Sequence, residues 1–383
     1  MPFRGRSVSE ERLRFVVLAS RREETISHLC REFGISRQCG QTWLKRYREG
    51  GAAAVMSERS RRPHHSPRRT AAFITSEIRR LRGRWPDWGA DKLHSLLRRD
   101  HPNLKISSRT VHRILLREGL VRGDDRHPSA TGHFQRSTPN ELWQMDFKGP
   151  KGFRERSGPL SVMDDHSRYV LALEHLESSR MDAVAGCLRR TFERSGLPEA
   201  MLMDHGTPWW NASSPWGWTE LSVWMMRQGI RILLSGYRHP QTQGKVERMH
   251  GALSRAIRRR GANADEQSWL DSFREEYNIV RPHEALGMQT PSSRWHRSER
   301  EYQPQPKPWE YGARQEVVKV NEHGRVHWRK MTYQLSFALS GQAVGIEKLE
   351  RSALIYYCNT PIAEIDERKL IALPVDPFRS LQC

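Results

Sequence analysis

The spacing of apolar residues changes near residue 140, and this change limits the chain to a multidomain fold. Before that point, apolar residues recur every three or four positions behind Ser or Thr caps, as in amphipathic helices. After it, they fall in short runs separated by turn residues, as in strands. A length of 383 residues allows about two to four domains of ordinary size. We therefore predict helical domains first and a strand-containing part after them.

Residues 1–50 have the pattern of a helix-turn-helix domain. Ser7 or Ser9 begins a first helix, Thr25 caps a second that Gly34 ends, and Ser36 caps a third. In that motif the last helix enters the DNA major groove; a plain three-helix bundle is the alternative. The third helix is predicted to bury Cys39, Trp43 and Tyr47 and to present Arg37, Gln38, Gln41 and Thr42 to base edges.

Residues 70–122 repeat the helical pattern and predict a second helix-turn-helix or winged-helix domain. Phe73, Ile78 and Leu81 form its first apolar stripe, and Ser107 or Ser108 caps its last helix. The outer side of that helix carries the predicted DNA contacts Arg109, Thr110 and Arg113.

Positive charge is concentrated in this helical part. The chain carries 64 Lys and Arg against 44 Asp and Glu, a net charge of +20. Residues 1–130 hold 29 of the basic and 14 of the acidic residues. Solubility needs net charge but not its segregation, so a nucleic-acid partner is favoured over a merely solvated surface. Residues 51–69 and 123–139 are predicted linkers, and the first supplies the predicted phosphate contacts Arg61, Arg62, Arg68 and Arg69.

Residues 140–300 predict an α/β domain. Three strands in a meander precede two more that alternate with helices. The strands are predicted at Leu142–Lys148, Leu160–Asp164, Tyr169–Glu174, Ala200–Met203 and Ile230–Leu234. A Pro-rich linker at 301–313 follows, and the short strands of residues 314–383 predict a small β-barrel.

Three acidic residues of the α/β domain are candidates for metal-assisted chemistry. Asp146 lies within a strand, Asp204 ends a strand, and Glu247 lies in the first turn of a helix. Carboxylates at strand centres and ends are costly to desolvate unless a cation compensates. Mg²⁺ and Mn²⁺ take such ligands and bridge to phosphate. Each acid alone also has an ordinary interpretation, as a turn or cap aspartate or as a surface ion pair of Glu247 with Arg248 or Arg255.

The chain resembles the integrase-type DDE transposases of bacterial insertion sequences, which are relatives of retroviral integrases. The resemblance covers about residues 140–300 and rests on five segments in order: WQMDFKG, DDHSRY, MDHGTPW, HPQTQGKVERMHGAL and YNIVRPHEALGMQTP. It implies an RNase H-like integrase core that binds two Mg²⁺ ions, with Mn²⁺ as a substitute. It matches Asp146, Asp204 and Glu247 to the family's catalytic, metal-binding acids. The rival ligands Asp164 and Asp165 are interpreted as hairpin-turn residues.

The resemblance also implies a reaction and partners. Transposases of this family bind the terminal inverted repeats of their element, cut the ends by phosphodiester hydrolysis and join the 3′-hydroxyls to target DNA. The expected partners are double-stranded DNA, as transposon ends and as target, and further copies of the chain in a dimer or tetramer. Lys245 matches a position that reaches end phosphates, and Arg248 is a predicted DNA contact. Arg281 and His283 are predicted to be structural first and DNA contacts second.

Two features depart from the family. Asp204 and Glu247 have 42 residues between them, more than is usual in retroviral integrases. The extra length contains Trp209, Trp210, Trp216 and Trp218, which predict either a packing insertion or a loop that stacks on bases. No His-His-Cys-Cys module precedes the core, so we expect no structural zinc.

Membrane and secreted classes do not fit the sequence. Its apolar runs are far shorter than the ~20 residues of a membrane helix, the N-terminus lacks a secretory signal, and the five cysteines are scattered. We expect a cytoplasmic bacterial protein at the nucleoid, with no membrane partner. The main alternative function is a DNA-binding regulator with a silent nuclease domain. A nuclease that never joins strands and an RNA–DNA hybrid nuclease are the others.

Overall fold

A computed structural model shows the fold of residues 7–58, 70–121, 135–149, 153, 158–211, 216–235, 244–260, 266–350, 352–366 and 371–373. The chain divides into two compact units, Met1–Thr70 and Ala71–Cys383. Within the described ranges, no helix combines the length and the apolar character needed to cross a membrane.

The first unit is a three-helix domain of α1 (Val8–Arg21), α2 (Ile26–Glu32) and α3 (Arg37–Met56). Side chains of Ser7, Thr25 and Ser36 cap the helices as predicted, each accepting a hydrogen bond from the backbone three residues on. The linker predicted from residue 51 is wrong at its start, because α3 continues through a kink at Gly51 to Met56. The four arginines predicted to contact phosphates from this linker lie outside the described residues.

The buried face of α3 is rotated from the predicted one. Gly40 and Leu44 are buried, whereas Cys39, Trp43 and Tyr47 are only half-buried. A Cβ atom at position 40 would lie 2.6 Å from the Sγ atom of Cys30 and 2.9 Å from the Cζ atom of Phe15. Glycine at this position therefore lets α3 pack closely on α1 and α2.

We expect Gly40→Val to lower the free energy of unfolding of the first unit by about 1–3 kcal/mol, because the added side chain overpacks this contact. Gly83→Ala, in α4 (Ala72–Arg84), is the matched control. A Cβ at position 83 has no atom within 4 Å, so a gain of about 0.5–1 kcal/mol in helix stability is expected there. Thermal unfolding followed by circular dichroism measures both changes. An unchanged melting temperature in Gly40→Val would contradict the packing argument.

The second unit begins with another helical domain, made of α4, α5 (Ala90–Asp100) and α6 (Ser108–Arg117). Ser107 caps α6 as predicted. Phe73, which was predicted to lie in the core, is 53% exposed, and Ile74 is buried instead. The apolar stripe through Ile78 and Leu81 runs through position 74 rather than position 73. Residues 122–134, where a wing would follow, lie outside the described residues.

A five-stranded mixed sheet forms the centre of the second unit. Its strands are β1 (Leu142–Phe147), β2 (Leu160–Asp164), β3 (Val170–Glu174), β4 (Ala200–Met203) and β5 (Arg231–Leu234). The order is β3-β2-β1-β4-β5, with β1 to β3 antiparallel and β4 parallel to both β1 and β5. This confirms the predicted integrase-like α/β core.

Helices cover both faces of this sheet. The two on one face are α7 (Met181–Ser195) and α8 (Glu220–Arg227), and the two on the other are α9 (Gly244–Arg260) and α10 (Gln267–Glu275). The N-cap of α7 is Arg180.

The C-terminal strands form two open sheets in the described residues, so the predicted β-barrel is not confirmed. One sheet has the order β12-β11-β10-β9-β6 and the other pairs β7 with β8. These strands are β6 (Gln315–Lys319), β7 (Arg325–Trp328), β8 (Met331–Gln334), β9 (Ala343–Lys348), β10 (Ser352–Tyr357), β11 (Thr360–Asp366) and β12 (Ile371–Leu373). Apolar side chains of β7 to β11 belong to the same core cluster as the central domain.

Candidate active site

The sheet register places the two candidate aspartates side by side. In the parallel pair β1–β4, Gln144 lies opposite Leu202. Asp146 and Asp204 each come two residues later, so they meet at the same edge of the sheet. Glu247 lies in the first turn of α9, which packs on β1 and β2.

The charges of Asp204 and Glu247 act on Asp146. The pKa of Asp146 is raised to about 7, first by burial and then by repulsion from the carboxylates of Asp204 and Glu247. Like charges in a partly buried site disfavour full ionisation. A divalent cation would offset both effects, and three carboxylates are a donor set that hard cations prefer.

The carboxylate oxygens of the three acids do not all converge to within 4.8 Å of one another. In the described residues, the potential ligand atoms that do so belong to Glu24, His28 and Glu32, which are exposed on the first unit. Glu247 is exposed at the start of α9, whereas Asp146 and Asp204 are half-buried. The two aspartates therefore form the constrained part of the candidate site, and Glu247 is its solvent-facing part.

Trp209 holds the side chain of Asp204. Its indole nitrogen donates to the Oδ1 atom of Asp204 at 2.9 Å, and the backbone nitrogen of Gly206 donates to the same atom at 2.9 Å. The indole ring is 1% exposed and stacks on Phe147, with ring centroids 5.6 Å apart. The sequence alone did not predict this role, although the MDHGTPW segment places the indole five residues after the acid.

His250 is a second residue beside the acids whose role the sequence alone did not predict. Its Nδ1 atom lies 3.8 Å from the Oδ2 atom of Asp146, and its Nε2 atom lies 2.9 Å from the hydroxyl of Ser161. Burial lowers the pKa of His250 to about 3, so the ring is neutral and forms no ion pair with Asp146. It joins α9 to β1 and β2 beside the acids.

Lys245 lies against the β2–β3 turn. It donates to the carboxylate of Asp165, whose side chain is fully buried and also accepts from the Gln144 amide and from the Arg136 backbone. Burial lowers the pKa of Lys245 to about 8. Asp164 accepts bonds from within the turn and from Asn140. Both aspartates therefore hold the turn in place through hydrogen bonds. To contact a phosphate as predicted, the ammonium group of Lys245 would have to move away from Asp165.

Comparison with known proteins supports the integrase-like core and the helix-turn-helix domains. Integrase core domain families match residues 136–240 and 228–291, a helix-turn-helix domain family matches residues 11–64, and a homeodomain-like domain family matches residues 39–115. The Insertion element IS476 uncharacterized 39.2 kDa protein of Xanthomonas euvesicatoria is 24% identical over 220 residues. The chain carries an integrase core domain and N-terminal helix-turn-helix domains. The IS476 match spans 54% of this chain and 59% of the relative.

Solved structures similar to this chain come from retroviruses. The simian T-cell lymphotropic virus intasome, in complex with PP2A regulatory subunit B56 gamma, is 15% identical with a TM-score of 0.37, covering 74% of this chain and 96% of that chain. The catalytic core domain of BIV integrase is 20% identical with a TM-score of 0.31, covering 40% and 92%. The HTLV-2 integrase catalytic core domain in complex with magnesium is 14% identical with a TM-score of 0.32, covering 42% and 99%. Likenesses this distant support no conclusion by themselves.

The residues predicted to contact DNA differ in exposure. The four in the first two turns of α3, Arg37, Gln38, Gln41 and Thr42, are all exposed, as are Arg109, Arg113 and Arg248, and Thr110 is half-buried. Arg281 does not fit a DNA contact, because it is only 7% exposed. Its guanidinium lies over the rings of Trp88 and Tyr277, so the packing gives it a structural position.

The Trp-rich segment packs against the rest of the second unit. Trp209 and Trp218 are buried, and Trp210 and Trp216 are half-buried. The indole nitrogen of Trp216 donates to the backbone oxygen of Gln334 at 2.6 Å, and Trp210 meets Trp218 edge to face. Of the two predicted roles, this favours the packing insertion over base stacking.

His283 makes stability depend on pH. Burial, aided by the charges of Arg281 and Lys92, lowers its pKa from 6.5 to about 3 in the folded state. The unfolded chain then binds a proton at higher pH than the folded chain, so this stability is lost as pH falls below about 6.5. The slope contributed by one such group approaches about 1.4 kcal/mol per pH unit.

We therefore expect the wild-type protein to lose about 1–2 kcal/mol more than His283→Gln between pH 6.5 and pH 5. Urea unfolding at several pH values measures the difference. His112→Gln, at an exposed position on α6, is the control and should follow the wild type. Parallel stability curves for all three proteins would show that His283 does not titrate in this way.

Proposed function

We propose that this chain is the transposase of an insertion sequence. It binds the terminal inverted repeats of the element, hydrolyses the phosphodiester bonds at the ends and joins the 3′-hydroxyls to target DNA. The observation that carries the proposal is the placement of Asp146 and Asp204 on neighbouring strands, with Glu247 in the first turn of α9. Burial, and then the charges of the other two acids, raise the pKa of Asp146 there. The helix-turn-helix families at the N-terminus and the IS476 relative support it.

The three acids are the proposed ligands of two Mg²⁺ ions, with Mn²⁺ as a substitute. Bound ions would supply Lewis acidity and lower the pKa of an attacking water or hydroxyl. The protein's own contribution is orientation. Trp209 and Gly206 hold the Oδ1 atom of Asp204, and neutral His250 adds no positive charge that would compete for Asp146.

The exposed residues of α3 and α6 are the proposed DNA contacts. Arg side chains give affinity through phosphates, while Gln38 and Gln41 can read base edges. Residues 1–50 and 70–122 would be the DNA-binding domains, and residues 140–300 the catalytic domain. Since two ends must be joined to one target, a dimer or tetramer on DNA in the bacterial cytoplasm, at the nucleoid, is proposed.

A strand-transfer assay tests the proposal. The full chain is mixed with DNA from both ends of its element and a supercoiled target plasmid, with Mg²⁺ or with a chelator. We expect cut ends and joined product only with the metal. Cut ends that are never joined would indicate a hydrolytic nuclease. Specific binding with no cutting, in Mg²⁺ and in Mn²⁺, would indicate a DNA-binding regulator instead.

A further inference from the structure

The α4–α6 domain docks on the catalytic domain through the turn between α4 and α5. Asp87 and Trp88 of this turn are buried. Trp88 shares a core cluster with Val111, Ile114 and Leu115 of α6, and a partly buried catalytic-domain side chain, Val280, packs on the same cluster. The turn and the predicted recognition helix α6 are therefore parts of one packed body.

Asp87 is the centre of a buried ion-pair network across this interface. Its side chain is 1% exposed, and its Oδ1 atom accepts from the Nε and Nη2 atoms of Arg260 at 2.9 and 2.7 Å. Arg260 also donates to both carboxylate oxygens of Glu276, at 2.8 and 3.1 Å. The Nη1 atom of Arg281 lies 3.7 Å from the Oδ2 atom of Asp87. One carboxylate thus faces two largely buried guanidinium groups.

Two further contacts join the same surfaces. Lys92 of α5 donates to the carboxylate of Glu284, and the Nη1 atom of Arg259 donates to the backbone oxygen of Pro86 at 2.9 Å. These bonds involve charged side chains with defined directions, whereas an apolar contact allows sliding. Buried charge pairs contribute little net stability, but removing one partner is costly because the other stays buried and uncompensated.

The network sits at one end of the helix that carries the third acid. Glu247 lies in the first turn of α9 and Arg260 is its last residue. Thirteen residues of α-helix span roughly 20 Å at 1.5 Å per residue. A continuous path of packed elements therefore runs from α6 through Asp87 and Arg260 along α9 to Glu247.

We propose that Asp87 is a positioning residue, which sets the spacing between the DNA sequence bound by α6 and the phosphodiester bond presented to the acids. This inference rests on the proposed transposase function and deepens it. Asp87 contacts neither DNA nor the acids in this role. It fixes the distance between the DNA bound by α6 and the acids, and an error of about 1 Å in such a distance lowers the rate on the order of 100-fold.

The test compares Asp87→Ala with wild type in the full chain. Hydrogen exchange of residues 85–90 and 276–284 reports docking, and sequencing of the cut ends reports which phosphodiester bond is hydrolysed. We expect faster exchange on both sides, end binding within about twofold of wild type, cuts spread over neighbouring bonds, and about 100-fold less product joined at the wild-type nucleotide. Asp91→Ala, at an exposed position on α5, is the matched control and should behave as wild type.

Asp87→Asn guards against a folding failure, since it keeps the side-chain shape and one acceptor. It should give the same spread of cuts to a smaller extent. Faster exchange with cutting still confined to the wild-type bond, at the wild-type rate, would overturn the positioning role. Unchanged exchange in Asp87→Ala would overturn the docking role. If wild type itself does not cut end DNA, the proposed function fails and positioning fails with it, while the exchange data still show whether the docked interface exists.

Discussion

Asp146→Asn should reduce joined product by at least about 1000-fold while leaving binding to end DNA within about twofold. Asparagine has the size of aspartate but lacks the negative charge that holds a divalent cation. Such a cation lowers the barrier to phosphoryl transfer by several kcal/mol, and each 1.36 kcal/mol changes the rate by a factor of ten. Asp146 is the half-buried acid whose pKa both other acids raise, so we expect the largest effect there.

The strand-transfer assay and a gel-shift assay measure this prediction together. Asp182→Asn is the matched control for Asp146→Asn, because Asp182 lies exposed on α7. An equal loss in the control would indicate damage to the fold. Product in Asp146→Asn above about a tenth of wild type would remove this residue from the metal site, because one lost factor of ten is only 1.36 kcal/mol.

Trp209→Ala should lower the free energy of unfolding by about 3–5 kcal/mol, the usual cost of truncating a buried Trp. The ring is 1% exposed and stacks on Phe147 of β1. Truncation also removes the indole donor of the Asp204 carboxylate. We therefore expect this substitution both to destabilise the fold and to free the Asp204 carboxylate in the candidate metal site. Urea unfolding measures the loss of stability first.

Trp209→Phe separates these two effects. Phenylalanine keeps an aromatic ring against Phe147 but cannot donate to Asp204. The loss of one hydrogen bond to a charged group costs about 1.5–3 kcal/mol, so a folded protein with reduced strand transfer is expected. Trp210→Phe, at a half-buried neighbour, is the control and should retain activity. An unchanged urea midpoint in Trp209→Ala would contradict the packing described here.

Local signals predicted the helix starts and most strand limits of this chain. The caps at Ser7, Thr25, Ser36 and Ser107 bond to backbone atoms three residues away, so each is encoded within one turn of sequence. The strand Leu160–Asp164 begins and ends at the predicted residues. Signals that act over three to six residues survive without knowledge of the rest of the fold.

Helix faces and sheet closure were less predictable. The buried face of α3 follows Gly40, because the approach of Cys30 and Phe15 selects it. Apolar periodicity alone predicted a buried face of Cys39, Trp43 and Tyr47, because half-buried aromatic residues give the same periodic pattern as core residues. In the same way, the C-terminal strands were visible in the sequence, but what covers their apolar face was not.

The sequence by itself determined the N-terminal helical domains and the α/β core, and it predicted the three acids, because caps, short apolar runs and ordered motifs are local. Only the tertiary structure decided that Lys245 meets Asp165, that Trp209 holds Asp204, and that Asp87 meets Arg260 across 173 residues of chain. The contacts of Lys245 with Asp165 and of Asp87 with Arg260 depend on how the sheet and the helices bring distant side chains together. Periodicity and composition, which act over a few residues, carry no record of such partners.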